Sequence, residues 1–264
     1  MAEQYTVTIE SVDYEGKGIA RIEGKTVFVY GALAGEEVLI EIVKRKPSFD
    51  KAKLVEIIQA SPKRVTPECP NYGVCGGCSM QHVSFDEQIR IKQQVLTDNL
   101  QHLGNVVAEE IMSPLAGVPW GYRHRARLSA RYVAKKGGAL VGFREKGAPY
   151  VLDMHQCLIL PPHVSALITP LRELVSAVSI RDKIPQIEVA VGTQVTILVI
   201  RNMEALNPED EQLIRQFIEQ YSSLENPLQI WLQPKGPETC YPFYPVDAPK
   251  LSYTIQSFSL DMPY

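Results

Sequence analysis

The chain has 264 residues, 45% of them hydrophobic and 22% charged, with a formal net charge of −3 and five cysteines. That is enough apolar material for about two domains with buried cores, which excludes a mostly disordered chain, and the cysteines are too few for a disulfide scaffold. No apolar run approaches the roughly 18 residues of a membrane span, and the segment Met1-Ala-Glu-Gln-Tyr-Thr-Val7 lacks the basic and apolar regions of an export signal, so a reducing cytoplasmic setting is expected.

Residues 5–60 read as five short strands, Thr6–Glu10, Ile19–Ile22, Thr26–Tyr30, Glu37–Val43 and Lys53–Ile58, separated by glycine-bearing turns. Five such strands suit a small OB-like barrel, which removes the exposed edges they would otherwise leave. Lys44, Arg45, Lys46, Lys51 and Lys53 cluster around its last turn, where they can attract phosphate without reading sequence.

Pro62 to Pro70 reads as a linker, followed by a cysteine-rich loop and then a helix. Ser84-Phe-Asp-Glu87 matches a capping box. Ile89, Val95, Leu96, Leu100 and Leu103 recur at helical spacing, and Gly104 ends the run. The remainder mixes strands at about 123–133, 139–144, 186–191, 194–201, 228–233 and 250–260 with helices at about 163–178 and 208–221. The second helix opens on Asn207-Pro-Glu-Asp-Glu211, with a capping Asn, an early Pro and acids beside the positive end of the dipole. The expected class is α+β: a barrel over residues 1–62, a linker, cysteine loop and helix over 63–104, and a mixed α/β central domain over 105–264. The last residues, Leu260-Asp-Met-Pro-Tyr264, have neither cap nor polar tail and read as a cut.

Cys69-Pro-Asn-Tyr-Gly-Val-Cys75-Gly-Gly-Cys78 packs three thiols into one short loop, and a fourth, Cys157, follows in Met154-His-Gln-Cys157. Gly76 and Gly77 are expected to let the loop fold tightly enough for Cys75 and Cys78 to share a centre. In a reducing compartment such a set points to a metal centre; the alternative is metal-free buried cysteines. Zinc prefers two short cysteine pairs, whereas a three-plus-one grouping resembles iron–sulfur ligation. The spacing leaves both open and favours iron–sulfur slightly. His82 and His155 are possible substitute ligands, and Cys240 reads as structural.

Residues 120–150 hold eight Lys or Arg against one acid, while residues 201–264 hold four against nine acids. Within the basic stretch the residues alternate. On a strand, Arg123, Arg125, Arg127, Ser129 and Arg131 share one face, and His124, Ala126, Leu128, Ala130 and Tyr132 the other. Arginines two apart lie about 7 Å apart along a strand, a spacing comparable to that of successive phosphates. Arginine binds phosphate as a fork and also stacks on bases, and Phe143-Arg144 adds a ring and a further cation. This reads as a track for single-stranded RNA; the competing expectation is a solvated face, or arginines paired with the acidic end of the chain.

These residues resemble a known family. Gly16-Lys-Gly-Ile-Ala20, Thr26-Val-Phe-Val29 and Gly35-Glu-Glu-Val38 are similar to a TRAM domain. The run Cys69 to His82 resembles the iron–sulfur loop of bacterial 23S ribosomal RNA uracil-5-methyltransferases. Trp120-Gly-Tyr-Arg-His-Arg-Ala-Arg-Leu-Ser129, Val141-Gly-Phe-Arg144 and Cys157 resemble that family's central domain. A barrel ahead of the loop is similar to the branch acting on uracil 1939. The resemblance implies a [4Fe-4S] cluster on Cys69, Cys75, Cys78 and Cys157, a single-stranded or loop region of 23S ribosomal RNA as partner, S-adenosylmethionine as methyl donor of the full-length enzyme, and a cytoplasmic monomer. It also implies that a cysteine thiolate adds to C6 of the uracil, C5 takes the methyl, and a carboxylate removes the C5 proton before the enzyme is eliminated. The target base leaves its stack to be reached. No Gly-x-Gly-x-x-Gly follows a strand here, and none of the five cysteines matches the family's nucleophile. The expectation is an RNA-binding, cluster-bearing portion that binds no methyl donor and is inactive alone. The competing classes are a complete RNA-binding zinc protein and a radical methylthiotransferase-like iron–sulfur enzyme.

Overall fold

The computed structural model describes residues 3–255 and 260–263; residues 256–259 of the strand expected at about 250–260 lie outside the described residues. Two compact units are present: Met1–Gly73 with Cys78–Gly117, and Val74–Gly77 with Val118–Tyr264. Among the described residues no helix is long and apolar enough to cross a membrane.

The first unit contains strands β1 (Gln4–Thr8), β2 (Ser11–Val12), β3 (Lys17–Ile22), β4 (Lys25–Tyr30), β5 (Glu37–Arg45) and β6 (Phe49–Gln59), then helix α1 (Phe85–His102). The strands form one sheet in the order β1-β5-β6-β4-β3-β2. Its two ends are halves of one bent segment. The Ile9 N–H donates to the Glu36 carbonyl at 2.9 Å on the β5 side, and the Glu10 N–H donates to the Ile19 carbonyl at 2.8 Å on the β3 side. The five expected segments therefore make six strands because the first one bends between β1 and β2. Alternation along the strands turns Val7, Ala20, Val27, Val29, Val38, Ile40 and Ala52 into one core with Ile9. Gly18 sits where an added Cβ would lie 3.0 Å from both the Ala32 carbonyl oxygen and Ile9 Cγ2, so the strand approaches its neighbours too closely for a side chain.

Helix α1 follows Ser84 as expected, but the capping box does not form. The Ser84 side chain makes no cap bond. Glu87 instead accepts from Arg90 Nε and Nη2 at 2.9 and 2.6 Å, an ion pair one turn ahead that outcompetes the reach back to the cap. The buried edge is also narrower than the expected stripe. Ile91 packs with Leu33, Met80 and Val83, and Val95 joins them in part, whereas Leu96 and Leu103 are 58% and 79% exposed.

The second unit contains β7 (Arg125–Val133), β8 (Gly138–Gly142), α2 (Pro162–Ala166), α3 (Ile168–Ala177), β9 (Gln186–Val191), β10 (Thr196–Arg201), α4 (Pro208–Tyr221), β11 (Leu228–Leu232) and β12 (Tyr241–Tyr244). The sheet order is β12-β11-β10-β9-β7-β8, with β10 and β11 parallel across α4. A separate hairpin pairs β13 (Ser252–Ile255) with β14 (Leu260–Pro263). The single helix expected at about 163–178 is two. Pro170 has no N–H to give and its ring clashes with the carbonyl four residues earlier, so the chain breaks at Leu167. Strand β12 escaped the sequence reading because Pro242 argues against a strand, yet an edge position tolerates it. Helices α3 and α4 pack on the sheet and bury Leu171, Leu174, Val175, Ile214, Phe217 and Ile218. The inward strand residues Leu128, Ala130, Ile187, Val189, Leu198, Ile200, Ile230 and Leu232 are buried with them. Alternate residues of β7 point the other way.

Candidate nucleic-acid interface

On β7, Arg125, Arg127 and Arg131 are exposed and alternate with buried Leu128 and Ala130, the parity read from the sequence. Arg123 lies just ahead of the strand, tied through its N–H to the Ile159 carbonyl at 2.8 Å. Its guanidinium sits 5.6 Å from the centre of the half-buried Phe143 ring, within cation–π reach. Arg144, just past β8, donates from Nε to Ser129 Oγ at 3.2 Å. Arg123, Phe143, Arg144, Ser129 and the β7 arginines thus belong to one unit and connect through printed pairings.

One acid interrupts the row. Arg127 stands opposite Glu188 of β9 in the ladder. Its Nε and Nη2 both reach Glu188 Oε1, at 3.2 and 3.1 Å. Gln186 donates to the same oxygen at 2.7 Å. The sequence expected any acidic pairing to come from the C-terminal stretch; the structure finds it on the neighbouring strand. The signal was legible: Gln186 and Glu188 alternate with the apolar Ile187 and Val189, so they share a face.

The barrel cations behave unequally. Arg45 reaches Asp50 at 3.2 Å and also pairs with Glu3. Lys53 meets Glu41 at 2.8 Å. Lys44 stands opposite Lys51 in the β5–β6 ladder, a like-charge pair. Exposed Lys46 lies in the turn between these strands.

None of the five cysteines is in a disulfide; Cys75 and Cys157 are buried, and Cys69 and Cys78 are half-buried. Residues 74–77 run beside residues 144–146: Gly76 N–H donates to the Arg144 carbonyl at 2.9 Å and Lys146 N–H to the Val74 carbonyl at 2.7 Å. Cys75 and Glu145 form the bridge between them. An added Cβ on Gly76 would lie 3.1 Å from the Arg144 oxygen. Glycine is needed here for close backbone approach. The left-handed turn in this loop is at Gly73, with φ +88°, not at Gly76 or Gly77. Gly77 donates its N–H to Cys75 Sγ at 3.3 Å, and Cys157 N–H is held by Ser165 Oγ at 2.9 Å. Among the described residues no group of three or more His, Cys, Asp or Glu side chains is arranged to hold a metal ion.

His82 is buried and stacked on Tyr72, with Nδ1 2.5 Å from the Tyr72 hydroxyl. Burial pushes that hydroxyl up to about 12. His155 is exposed and lies 3.1 Å from both Thr169 Oγ1 and Arg172 Nη1. Burial, and then the negative charge of Glu188, pushes the Cys240 thiol up. A thiol so held stays protonated and is a poor nucleophile.

Residues 2–55 match the family model of the TRAM domain. Over 99% of its length the chain is 52% identical to the 23S rRNA (uracil(1939)-C(5))-methyltransferase RlmD of Chromobacterium violaceum, of which it covers 51%. Proteins of the same name from Nitrosospira multiformis and Cupriavidus necator are 52% and 53% identical over 98% of the chain, which covers 58% of each. In fold, 86% of the chain superposes on 50% of the Pyrococcus abyssi tRNA (uracil-54, C5)-methyltransferase crystallised with S-adenosyl-L-homocysteine, at a TM-score of 0.59 and 20% identity. The chain spans about half the length of the RlmD proteins it matches.

Proposed function

We propose that the protein to which these residues belong methylates C5 of a uracil in 23S ribosomal RNA, uracil 1939, and that these residues bind the RNA. The observation that carries this reading is the unbroken likeness, 52% identity over 99% of the chain, to a protein named for that activity. The exposed arginines of β7 support it physically, because they offer a repeated cationic face on a rigid sheet. S-adenosylmethionine supplies the methyl group in the whole enzyme.

Residues 1–62 act as an OB-like RNA-binding barrel. A ladder that begins and ends on one bent segment supports that architecture. Lys44, Arg45, Lys46, Lys51 and Lys53 attract phosphate there. Residues 63–104 carry the cysteine loop and helix α1, and residues 105–264 the central sheet, where Arg123, Arg125, Arg127, Arg131, Phe143 and Arg144 hold a single-stranded or loop region. The enzyme works as a cytoplasmic monomer.

Cys69, Cys75, Cys78 and Cys157 hold a [4Fe-4S] cluster in this reading. The donor chemistry fits: all four are thiols outside any disulfide, and an N–H already donates to one sulfur, as around iron–sulfur ligands. Bound there, the cluster supplies cross-links between distant segments; methyl transfer to uracil is not a net electron transfer. None of the chain's cysteines is assigned as the nucleophile, since the remaining one, Cys240, is held protonated.

The test incubates the chain, purified anaerobically, with a 23S ribosomal RNA fragment containing uracil 1939 and labelled S-adenosylmethionine. Salt-sensitive RNA retention without methyluracil is expected, with brown colour and iron that Cys75→Ser removes. No RNA retention rejects the RNA-binding role, methyluracil rejects the assignment of catalysis elsewhere, and colourless protein with stoichiometric zinc rejects the cluster.

A further inference from the structure

The three exposed arginines of β7 meet different neighbours. In the ladders Arg125 stands opposite Ala190, Arg131 opposite Leu140, and Arg127 opposite Glu188. Arg127 is nevertheless the well-exposed member of its pair, its side chain 69% accessible against 34% for Glu188. Its Nε and Nη2 are both directed to Glu188 Oε1. That uses the side edge of the guanidinium, one of the two edges able to take a phosphate as a fork. The plane and the outer Nη1 stay open. Gln186, donating to the same carboxylate oxygen at 2.7 Å, fixes the carboxylate in turn.

From this register we infer that Glu188 is a positioning residue of the RNA surface: it neutralises Arg127 and fixes its guanidinium for a base, leaving the phosphates of the bound strand to Arg125 and Arg131. A phosphate approaching Arg127 would bring its charge up to the Glu188 carboxylate, and that repulsion cancels much of the attraction. A base carries no net charge and meets no such penalty, while a guanidinium plane stacks on any nucleobase. The row therefore alternates in task as well as in parity: phosphate, base, phosphate.

This rests on the RNA-binding reading above, and its test separates the two. The intact chain is titrated, across a salt series, with a fluorescein-labelled single-stranded oligoribonucleotide and with an abasic strand of equal length. Arg131→Ala should lower the slope of log affinity against log salt by about 0.7, one phosphate on a single strand. Arg127→Ala should weaken binding of the oligoribonucleotide about fivefold at unchanged slope, and leave the abasic strand unaffected. Glu188→Gln, which keeps an oxygen for Arg127 and Gln186 to donate to, should tighten both strands and steepen the slope by about 0.7, with unchanged circular dichroism and melting. If Arg127→Ala lowers the slope as Arg131→Ala does, or weakens both strands equally, or if Glu188→Gln leaves the slope alone, the inference is overturned. Failure of the unaltered chain to bind either strand overturns the RNA-binding reading itself.

Discussion

Arg64 clamps the Glu36 carboxylate side-on, Nε to Oε1 at 2.6 Å and Nη2 to Oε2 at 2.7 Å, where the Glu36 side chain has no accessible surface. The backbone N–H groups of Leu33 and Ser61 donate to the same carboxylate at 2.8 and 3.1 Å, and Arg64 also reaches the Gly31 carbonyl at 2.7 Å. One buried carboxylate thus joins the turn before β5, the end of the chain past β6 and the linker that follows. Arg64→Ala would leave that charge uncompensated, and is expected to cost the first unit about 3 kcal/mol. Amide exchange along β3 to β6 under native conditions measures this; protection unchanged from the parent would contradict it.

The same pair sets a pH dependence. Burial alone would raise the Glu36 carboxyl, but the Arg64 hydrogen bond and the Leu33 and Ser61 N–H groups outweigh it and hold it below its ordinary 4.5. A carboxylate depressed in the folded state stabilises above its unfolded pKa, and that contribution is lost as pH falls through the folded value. The stability gap between the parent and Glu36→Gln should stay level from neutral pH down to about 5. It should close as the pH drops below 4.5. A gap that ignores pH would show that the carboxylate's charge contributes nothing.

Helix α4 is fixed by a box that does form. Asp210 N–H donates to Asn207 Oδ1 at 2.7 Å, and the buried Asp210 carboxylate accepts from Ser179 N and Oγ at 2.7 and 2.5 Å. Asn207→Ala is expected to cost about 1 kcal/mol. Asp210→Ala should cost about 2–3 kcal/mol, because two further donors lose their acceptor. Trp231 lies on β11, against which α4 packs, so urea unfolding followed by its fluorescence gives both values; equal losses would mean the Ser179 bonds contribute little.

Gly142 ends β8 where an added Cβ would lie 2.5 Å from Met154 Sδ, a buried sulfur that also accepts from Phe143 N–H at 3.4 Å. Gly142→Ala should destabilise the second unit by about 1–3 kcal/mol through overpacking. Because the obstructing atom is on a flexible side chain, Met154→Ala in the same chain should recover part of the loss. The urea midpoint decides it: a double variant as unstable as the sum of the two would rule out this contact as the cause.

Periodicity carried most of the fold into view from the sequence. The barrel strands, β7, β9 and α4 alternate or repeat cleanly, and the structure places them within a residue or two of where the pattern does. What stayed hidden depended on distant partners. Glu87 was drawn from its cap by Arg90, Pro170 cut one helix into two, and β12 gained its place only by pairing with β11. In the interface, the arginine parity was plain, while the neutralising Glu188 needed the β7–β9 register to find it. The glycines of the cysteine loop were recognised as necessary, but for turning, whereas Gly76 is there to let two backbones touch. Spacing reports which residues share a face; it does not report which strand lies beside them.

The bend at Ile9 and Glu10 gives the first unit an all-or-nothing character. Since one short stretch completes both margins of the sheet, a protease cut there would unseat β1 and β2 together and uncover β5 and β3 at once. Each bared margin can recruit a strand from another molecule, so a single nick would turn a self-contained module into a self-associating one.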